Sequence, residues 1–234
     1  MAKVVILSGA GLSAESGIST FRDSGGLWEE YDVSVVCNYD SLERNEELTI
    51  DFYDKRRAEL SSKEANYAHK VLADLKKTYG EDIAIITQNV DNLFEKAGLS
   101  SNDVLHLHGF MTEVRCQDCS EIFDIKYEKQ NNFNDGFCPS CSGKLRPNIV
   151  FFGEQAPLYE NLSQHINDCQ LLVVLGTSGE VIGVNVMARY IENSILNNLE
   201  ASESIDDSLF SKVLYMKATE AIDEIAESIE EFLA

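Results

Sequence analysis

Four cysteines stand in two tight pairs, Cys116 with Cys119 and Cys138 with Cys141, spaced C-x2-C-x18-C-x2-C. Four thiolates so arranged match a tetrahedral zinc site, and the interval lies in the usual range. Two disulfides are the alternative, which a cytoplasmic setting argues against. Four cysteine ligands close the coordination shell, so one zinc per chain would be structural and not catalytic. It would hold together a segment too small for its own core. Cys37 and Cys169 stand alone and read as small buried apolar residues.

Three further clusters could do chemistry. In GAGLSAESG (9–17), Gly9 and Gly11 with Ala14 fit G-x-G-x-x-A after a strand-like run. Such glycines let backbone N–H groups approach a pyrophosphate, although a purely structural glycine turn reads the same way. A dehydrogenase also needs a second strand ending in an acid about twenty residues on, where this chain has SGGLWEEYD. The pattern therefore admits a dinucleotide but not the hydride-transfer arrangement. In TQNVDN (87–92), Gln88, Asn89 and Asp91 suit sugar hydroxyls or an amide, with a helix N-cap as the alternative. In LHLHGF (105–110), His106 and His108 would face one side of a strand. A metal pair lacks a third ligand there, a structural histidine is the ordinary reading, and a general base facing a cleft is the sharper one.

FYDKRRAEL (52–60) sets Tyr53 and Arg56 three apart in a helical stretch, so both point to one face. Arginine offers a planar fork that matches a carboxylate, and tyrosine a hydroxyl donor. The alternative is an exposed arginine paired with Glu59 or Asp54.

The elements that must position these residues are legible as apolar runs. VVIL (4–7), IAIIT (83–87) and LLVVL (171–175) each lead into a polar turn, and VLYM (213–216) follows late. Helical patterns lie between: SKEANYAHKVLADLKKTYG closed by Gly80, a second through 184–196, and a terminal one with Ile222, Ile225, Ile229 and Phe232 on one side. The alternation predicts an α/β fold, a Rossmann-like doubly wound parallel sheet with helices on both faces. Ligands bind such sheets where strands end, so the three polar turns should converge on one cleft. We expect 1–30, 80–113 and 146–234 to form the Rossmann-like part, 31–79 a helical excursion and 114–145 a small zinc-binding insertion.

The 234 residues carry a formal charge of −21, 44% hydrophobic residues and three prolines, as in a globular chain. Such acidity disfavours binding to nucleic acid and mildly attracts lysine-bearing partners. No apolar run is long enough to span a membrane, and no signal-peptide pattern opens the chain. A cytoplasmic protein is expected, and a monomer, since no association seam is evident.

Six motifs occur in a specific order: GAGLSAESGISTFRD, TQNVDN, HG after a short apolar run, the two CxxC pairs, RPNIVFFGE (146–154) and GTSG (176–179). In this order they resemble sirtuins, the NAD-dependent protein deacylases, over almost the whole chain. YDKRR (53–57) resembles the Tyr-x-x-Arg signature of the class that removes succinyl and malonyl groups, and bacterial members look most similar, including in FRDSGGLWEE and HLHG.

The resemblance implies NAD as a consumed co-substrate, bound between the Rossmann-like and zinc-bearing parts. Gly9, Ala10, Gly11 and Ser13, with Phe21 and Arg22, would surround the phosphates and nicotinamide ribose. Gln88, Asn89 and Asp91 would line the ribose and nicotinamide pocket. Gly176, Thr177 and Ser178, then Asn198, Leu199, Glu200 and Ala218, would face the adenosine side. His108 would be the general base, Tyr53 and Arg56 would meet the substrate acyl group, and RPNIVFFGE would pair with the peptide backbone as an added strand. The implied reaction is acyl transfer from lysine to ADP-ribose with release of nicotinamide. The acyl oxygen attacks the ribose C1′, and His108 then activates a ribose hydroxyl toward the acyl carbon. Acylated lysine proteins would be the partners. The alternative is a sirtuin-shaped ADP-ribosyltransferase or NAD sensor without deacylation. The chain departs from the family at Phe94, at Gly183 in place of a usual proline, and over 201–216. These departures bear on the adenine end and not on the chemistry.

Overall fold

A computed structural model describes residues 2–19 and 32–234. The first apolar run forms β1 (Val4–Ser8) and the second β2 (Ile83–Thr87), both buried along their whole length. A short strand, β3 (Val104–His106), follows. Three strands come next: β4 (Gly109–Cys116), β5 (Ile122–Asp124) and β6 (Leu145–Ile149). The chain then returns with β7 (Leu171–Leu175), β8 (Asn193–Asn198) and β9 (Lys212–Tyr215).

Six of these strands form one sheet in the order β3-β2-β1-β7-β8-β9, parallel at every pairing. Counted within the sheet this is the doubly wound order, which reverses between β1 and β7. Continuous apolar runs are required because both faces are covered. Val4 and Ile6 of β1 join one core cluster with Leu72 and Ile222, beneath the helices Tyr67–Tyr79 and Ala218–Leu233. Val5 and Leu7 join the opposite cluster with Leu162 and Ala188, beneath the helices Tyr159–Asp168 and Val184–Tyr190. Register puts Ser8 of β1 level with Thr87 of β2 and Leu175 of β7, so the turns that follow all leave from one edge.

Helix ends carry their own signals. Asn66 caps Tyr67–Tyr79 by accepting from the His69 N–H, and Gly80, at φ 53°, ends that helix with its N–H on the Lys76 carbonyl. The expected helix through 184–196 is shorter. It stops at Tyr190, and Asn193–Asn198 is a strand whose Ser194, Ile195, Leu196, Asn197 and Asn198 are buried. Its buried amides explain how a strand rich in asparagine can lie inside the sheet: Asn197 donates to the carbonyls of Leu214 and Met216, and Asn198 to that of Thr177.

The other three strands make an antiparallel sheet, β5-β4-β6. The helices Val33–Val36, Tyr39–Leu42 and Glu46–Ser61 pack against it through Val36, Phe52, Tyr53, Met111 and Phe151. A fourth small core, Val114, Cys116, Ile125, Cys138 and Leu145, surrounds the cysteines. Among the described residues no helix is long and apolar enough to cross a membrane.

Candidate active site

The turns after β1, β2 and β7 meet at the point where the sheet order reverses. Gly9 donates its N–H to the Leu175 carbonyl at 2.9 Å, and Gly11 to the Gly176 carbonyl at 2.8 Å. A Cβ on Gly11 would stand 2.7 Å from the Gly176 Cα, so glycine is required at this crossing. These two N–H groups are therefore spent on the neighbouring turn, and the glycines act by allowing close approach. Asn89 donates to the Gly9 carbonyl and the Ser13 hydroxyl, both at 3.0 Å. Ser13 in turn donates to Asp91 at 2.8 Å. Gln88 donates to the Thr177 hydroxyl at 3.0 Å. Burial pushes the Asp91 carboxyl up, against the Leu93 N–H and Ser13 hydroxyl that favour its charge.

On the other side of β7, Ser178 accepts from Ser202 through its carbonyl, and Asn198 holds the Thr177 carbonyl. Leu199 and Glu200 are exposed at the rim, and Ala218 is buried at the start of the last helix. Phe21 and Arg22 lie outside the described residues. The described set is one connected rim of amides, hydroxyls and one buried carboxylate, and such neutral donors and acceptors fit sugar hydroxyls and an amide.

The two histidines do not share a strand face. β3 ends at His106, and His108 lies in the turn beyond it. His106 contacts the Asn89 carbonyl at 3.1 Å and the Glu95 carboxylate at 3.0 Å. Burial presses its pKa down, but the hydrogen bond and charge of Glu95 outweigh this and hold it above the ordinary value. His106 is thus held between the Asn89 carbonyl and the Glu95 carboxylate. His108 is different: burial lowers its pKa, opposed only by the Gln88 carbonyl, so its ring is neutral at pH 7. That carbonyl lies 3.0 Å from Nδ1 and can only accept, so Nδ1 carries the proton and Nε2 holds the lone pair of a base.

On the helical side, Tyr53 is 4% exposed, and its hydroxyl donates to the Cys37 sulfur at 3.5 Å. Burial, and then Cys37, push the Tyr53 phenol well above its usual value, so it remains a donor. Arg56 pairs with Glu59 at 2.8 Å, as the bland reading expected, but its side chain is only 12% exposed. Burial lowers its pKa, and Glu59, Tyr53, Cys37 and Asp91 oppose that. Its neighbour Arg57 faces away and is fully buried, with Asp54 at 2.6 Å and the Met111 carbonyl at 2.9 Å.

RPNIVFFGE runs from β6 to a bridge between Phe152 and Asn38. The N–H groups of Val150, Phe151 and Phe152 are already engaged, by the His108 carbonyl, the Glu154 carboxylate and the Cys37 carbonyl. Carbonyls of the stretch are engaged as well: Ile149 accepts from Arg146, Phe151 from the Glu154 N–H and Phe152 from the Tyr39 N–H. Glu154 also binds Arg115 and Arg146, and Arg146 stacks on Phe151 with its guanidinium carbon 4.4 Å from the ring centroid. Burial alone would raise the Glu154 carboxyl, but the two arginines and the Phe151 N–H hold it below the ordinary range.

The four cysteine sulfurs lie within 4.8 Å of one another, with Cys116 to Cys141 at 3.4 Å and Cys119 to Cys138 at 3.7 Å. A tetrahedron with sulfurs about 2.3 Å from its centre has edges of about 3.8 Å, so the cage fits zinc. The N–H groups of Asp118 and Cys119 point at the Cys116 sulfur, as a thiolate ligand requires.

Residues 9–183 match the model of the Sir2 family. A Campylobacter jejuni "NAD-dependent protein deacylase" is 47% identical over 234 residues, all of this chain and 98% of that protein. One of the same name from Helicobacter hepaticus is 42% identical, with 99% of each covered. A solved Sir2 homolog–NAD complex is 30% identical, superposes with a TM-score of 0.84, and is matched over 99% of this chain and 90% of that one.

The chain belongs to the Sir2 family.

Sequence reasoning missed two residues of this Sir2 site. Tyr159 stands 2.8 Å from the His108 Nε2, a contact across 51 positions that no local pattern announces. Cys37 is buried as expected, but it lies against the Tyr53 hydroxyl and not in a distant core. At the position where the family pattern has histidine, Phe94 is buried edge-on to His69 with ring centroids 5.0 Å apart. Gly183 precedes the helix Val184–Tyr190, and 201–216 folds as turns and β9.

Proposed function

We infer that this Sir2 protein is an NAD-dependent protein-lysine deacylase that prefers acyl groups ending in a carboxylate. The observation that carries the preference is Arg56, a guanidinium only 12% exposed, one helical turn from the buried Tyr53. A buried cation in a chain of charge −21 is costly unless an anion meets it. Glu59, with a side chain 40% exposed, is the present partner and can turn to solvent when a substrate carboxylate arrives. Arg56 then offers its fork, and Tyr53 its one O–H once this turns from the Cys37 sulfur.

NAD supplies the ribose that accepts the acyl group. The residues proposed to hold it are Gly9, Ala10, Gly11 and Ser13, with Phe21 and Arg22; Gln88, Asn89 and Asp91; and Gly176, Thr177, Ser178, Asn198, Leu199, Glu200 and Ala218. His108 takes the proton of a ribose hydroxyl at Nε2, while Nδ1 keeps its own on the Gln88 carbonyl. The four cysteines would hold one structural zinc. The three-part division of the chain, action on acylated lysine proteins, a cytoplasmic location, a monomeric state and indifference to nucleic acid and membranes belong to the same proposal. Solved relatives include Sir2Tm bound to a propionylated peptide, 27% identical with a TM-score of 0.77.

The test is nicotinamide release with and without acylated peptide. Release that requires the peptide and yields free lysine supports deacylation. Peptide-independent release points to an ADP-ribosyltransferase or sensor.

A further inference from the structure

The lone pair that His108 needs as a base is occupied. Its Nε2 lies 2.8 Å from the Tyr159 hydroxyl, and with Nδ1 protonated the hydroxyl must be the donor. The Tyr159 ring is tilted 44° to the imidazole, with centroids 5.9 Å apart. It packs on the core cluster beneath the helix that Tyr159 begins. The packing of its ring therefore sets this hydroxyl on Nε2, and it leaves only when that packing shifts. A neutral imidazole nitrogen has one lone pair and accepts one such hydrogen bond. Accepting from Tyr159 and accepting a ribose proton are mutually exclusive.

Resting on the deacylase reading above, we propose that Tyr159 is a positioning residue that caps the His108 base in the free enzyme and must leave Nε2 before the ribose hydroxyl can reach it. The proton transferred comes from the ribose, and Tyr159 keeps its own. The short segment 153–158 joins Tyr159 to the stretch at which acylated peptide is proposed to add, so one movement can serve both events. Among the described residues, two groups contact the His108 ring nitrogens. Gln88 presents a carbonyl from the turn after β2, and Tyr159 a phenol whose pKa burial raises, so neither is charged at neutral pH. Among the described residues, Glu95 is held by His106, and Asp91 by Ser13 and the Leu93 N–H.

The experiment is steady-state deacylation by the zinc-loaded full chain and its Tyr159→Phe variant, with NAD varied from pH 5 to 9. Loss of the cap should lower the KM for NAD by about two- to tenfold, the worth of one hydrogen bond, and leave kcat unchanged. The acid limb of kcat/KM should move to higher pH, because the lost bond had favoured neutral imidazole, while the acid limb of kcat stays. Tyr159→Met, which keeps apolar bulk without the hydroxyl, should behave the same way. A fall in kcat at unchanged KM would overturn the proposal, as would parameters and limbs identical to wild type. If wild type deacylates nothing, the functional reading fails and the cap is still tested. An NMR titration of His108 should then give a higher pKa in Tyr159→Phe, and equal values would refute the cap.

Discussion

Gly11 and Gly176 touch across the reversal point of the sheet, with the N–H of one on the carbonyl of the other at 2.8 Å. A methyl group on Gly11 would meet the Gly176 Cα at 2.7 Å. Gly11→Ala should therefore push the two turns apart, at a cost of about 1–3 kcal/mol. Denaturant midpoints check the stability, and NAD titration the rim. A variant with the wild-type midpoint and affinity would contradict the close-approach account.

His108 is lowered from the ordinary imidazole value by burial, and on the proposed reading its neutral form is the base. Protonation at low pH removes activity, so the acid limb of kcat/KM should fall below pH 6.5, the unperturbed value. His108→Ala should reduce kcat by about 10²- to 10⁴-fold. A limb above pH 6.5, or an active alanine variant, would contradict the assignment.

His69 is buried, and burial takes its pKa down to about 3. Above about pH 6.5 both folded and unfolded states hold it neutral, and it adds no pH dependence. Below that the unfolded chain binds a proton that the folded chain refuses. Stability should fall by about 1.4 kcal/mol per pH unit on this account between the two pKa values. Urea unfolding of wild type and His69→Gln at pH 7 and pH 5 reads the difference. The variant should lose less on acidification, and parallel losses would contradict the assignment.

Neighbouring arginines should part company. Arg57 has a fully buried side chain paired with Asp54, so Arg57→Met strands a mostly buried carboxylate and should destabilise by about 3–5 kcal/mol. Arg56, whose partner Glu59 is part-exposed, should leave the unfolding midpoint nearly unchanged when replaced by methionine. Thermal and urea unfolding of both variants would decide, and equal losses would contradict the division of labour.

The Tyr-x-x-Arg spacing singles out Arg56, but nothing in YDKRR shows that Arg57 is the buried one, because helix periodicity places residues on faces and not against partners. The strands were legible where apolar runs are buried on both faces, as in VVIL, IAIIT and LLVVL. β8 was not, because its apolar run is short and its buried Asn197 and Asn198 are satisfied by carbonyls 17, 19 and 21 positions away. The zinc cage was legible from local spacing alone. Tyr159 was hidden because only tertiary packing brings it to His108. The glycines of GAG were found, but their N–H groups serve the turn after β7, a contact that no fingerprint contains.

The most direct test of the central claim compares NAD-dependent turnover of matched succinyl-lysine and acetyl-lysine peptides by mass spectrometry, for wild type and Arg56→Met. The account predicts faster desuccinylation by wild type and a loss on succinyl-lysine far larger than on acetyl-lysine in the variant. Faster deacetylation by wild type, or equal losses on both peptides, would return Arg56 to an ordinary ion pair with Glu59.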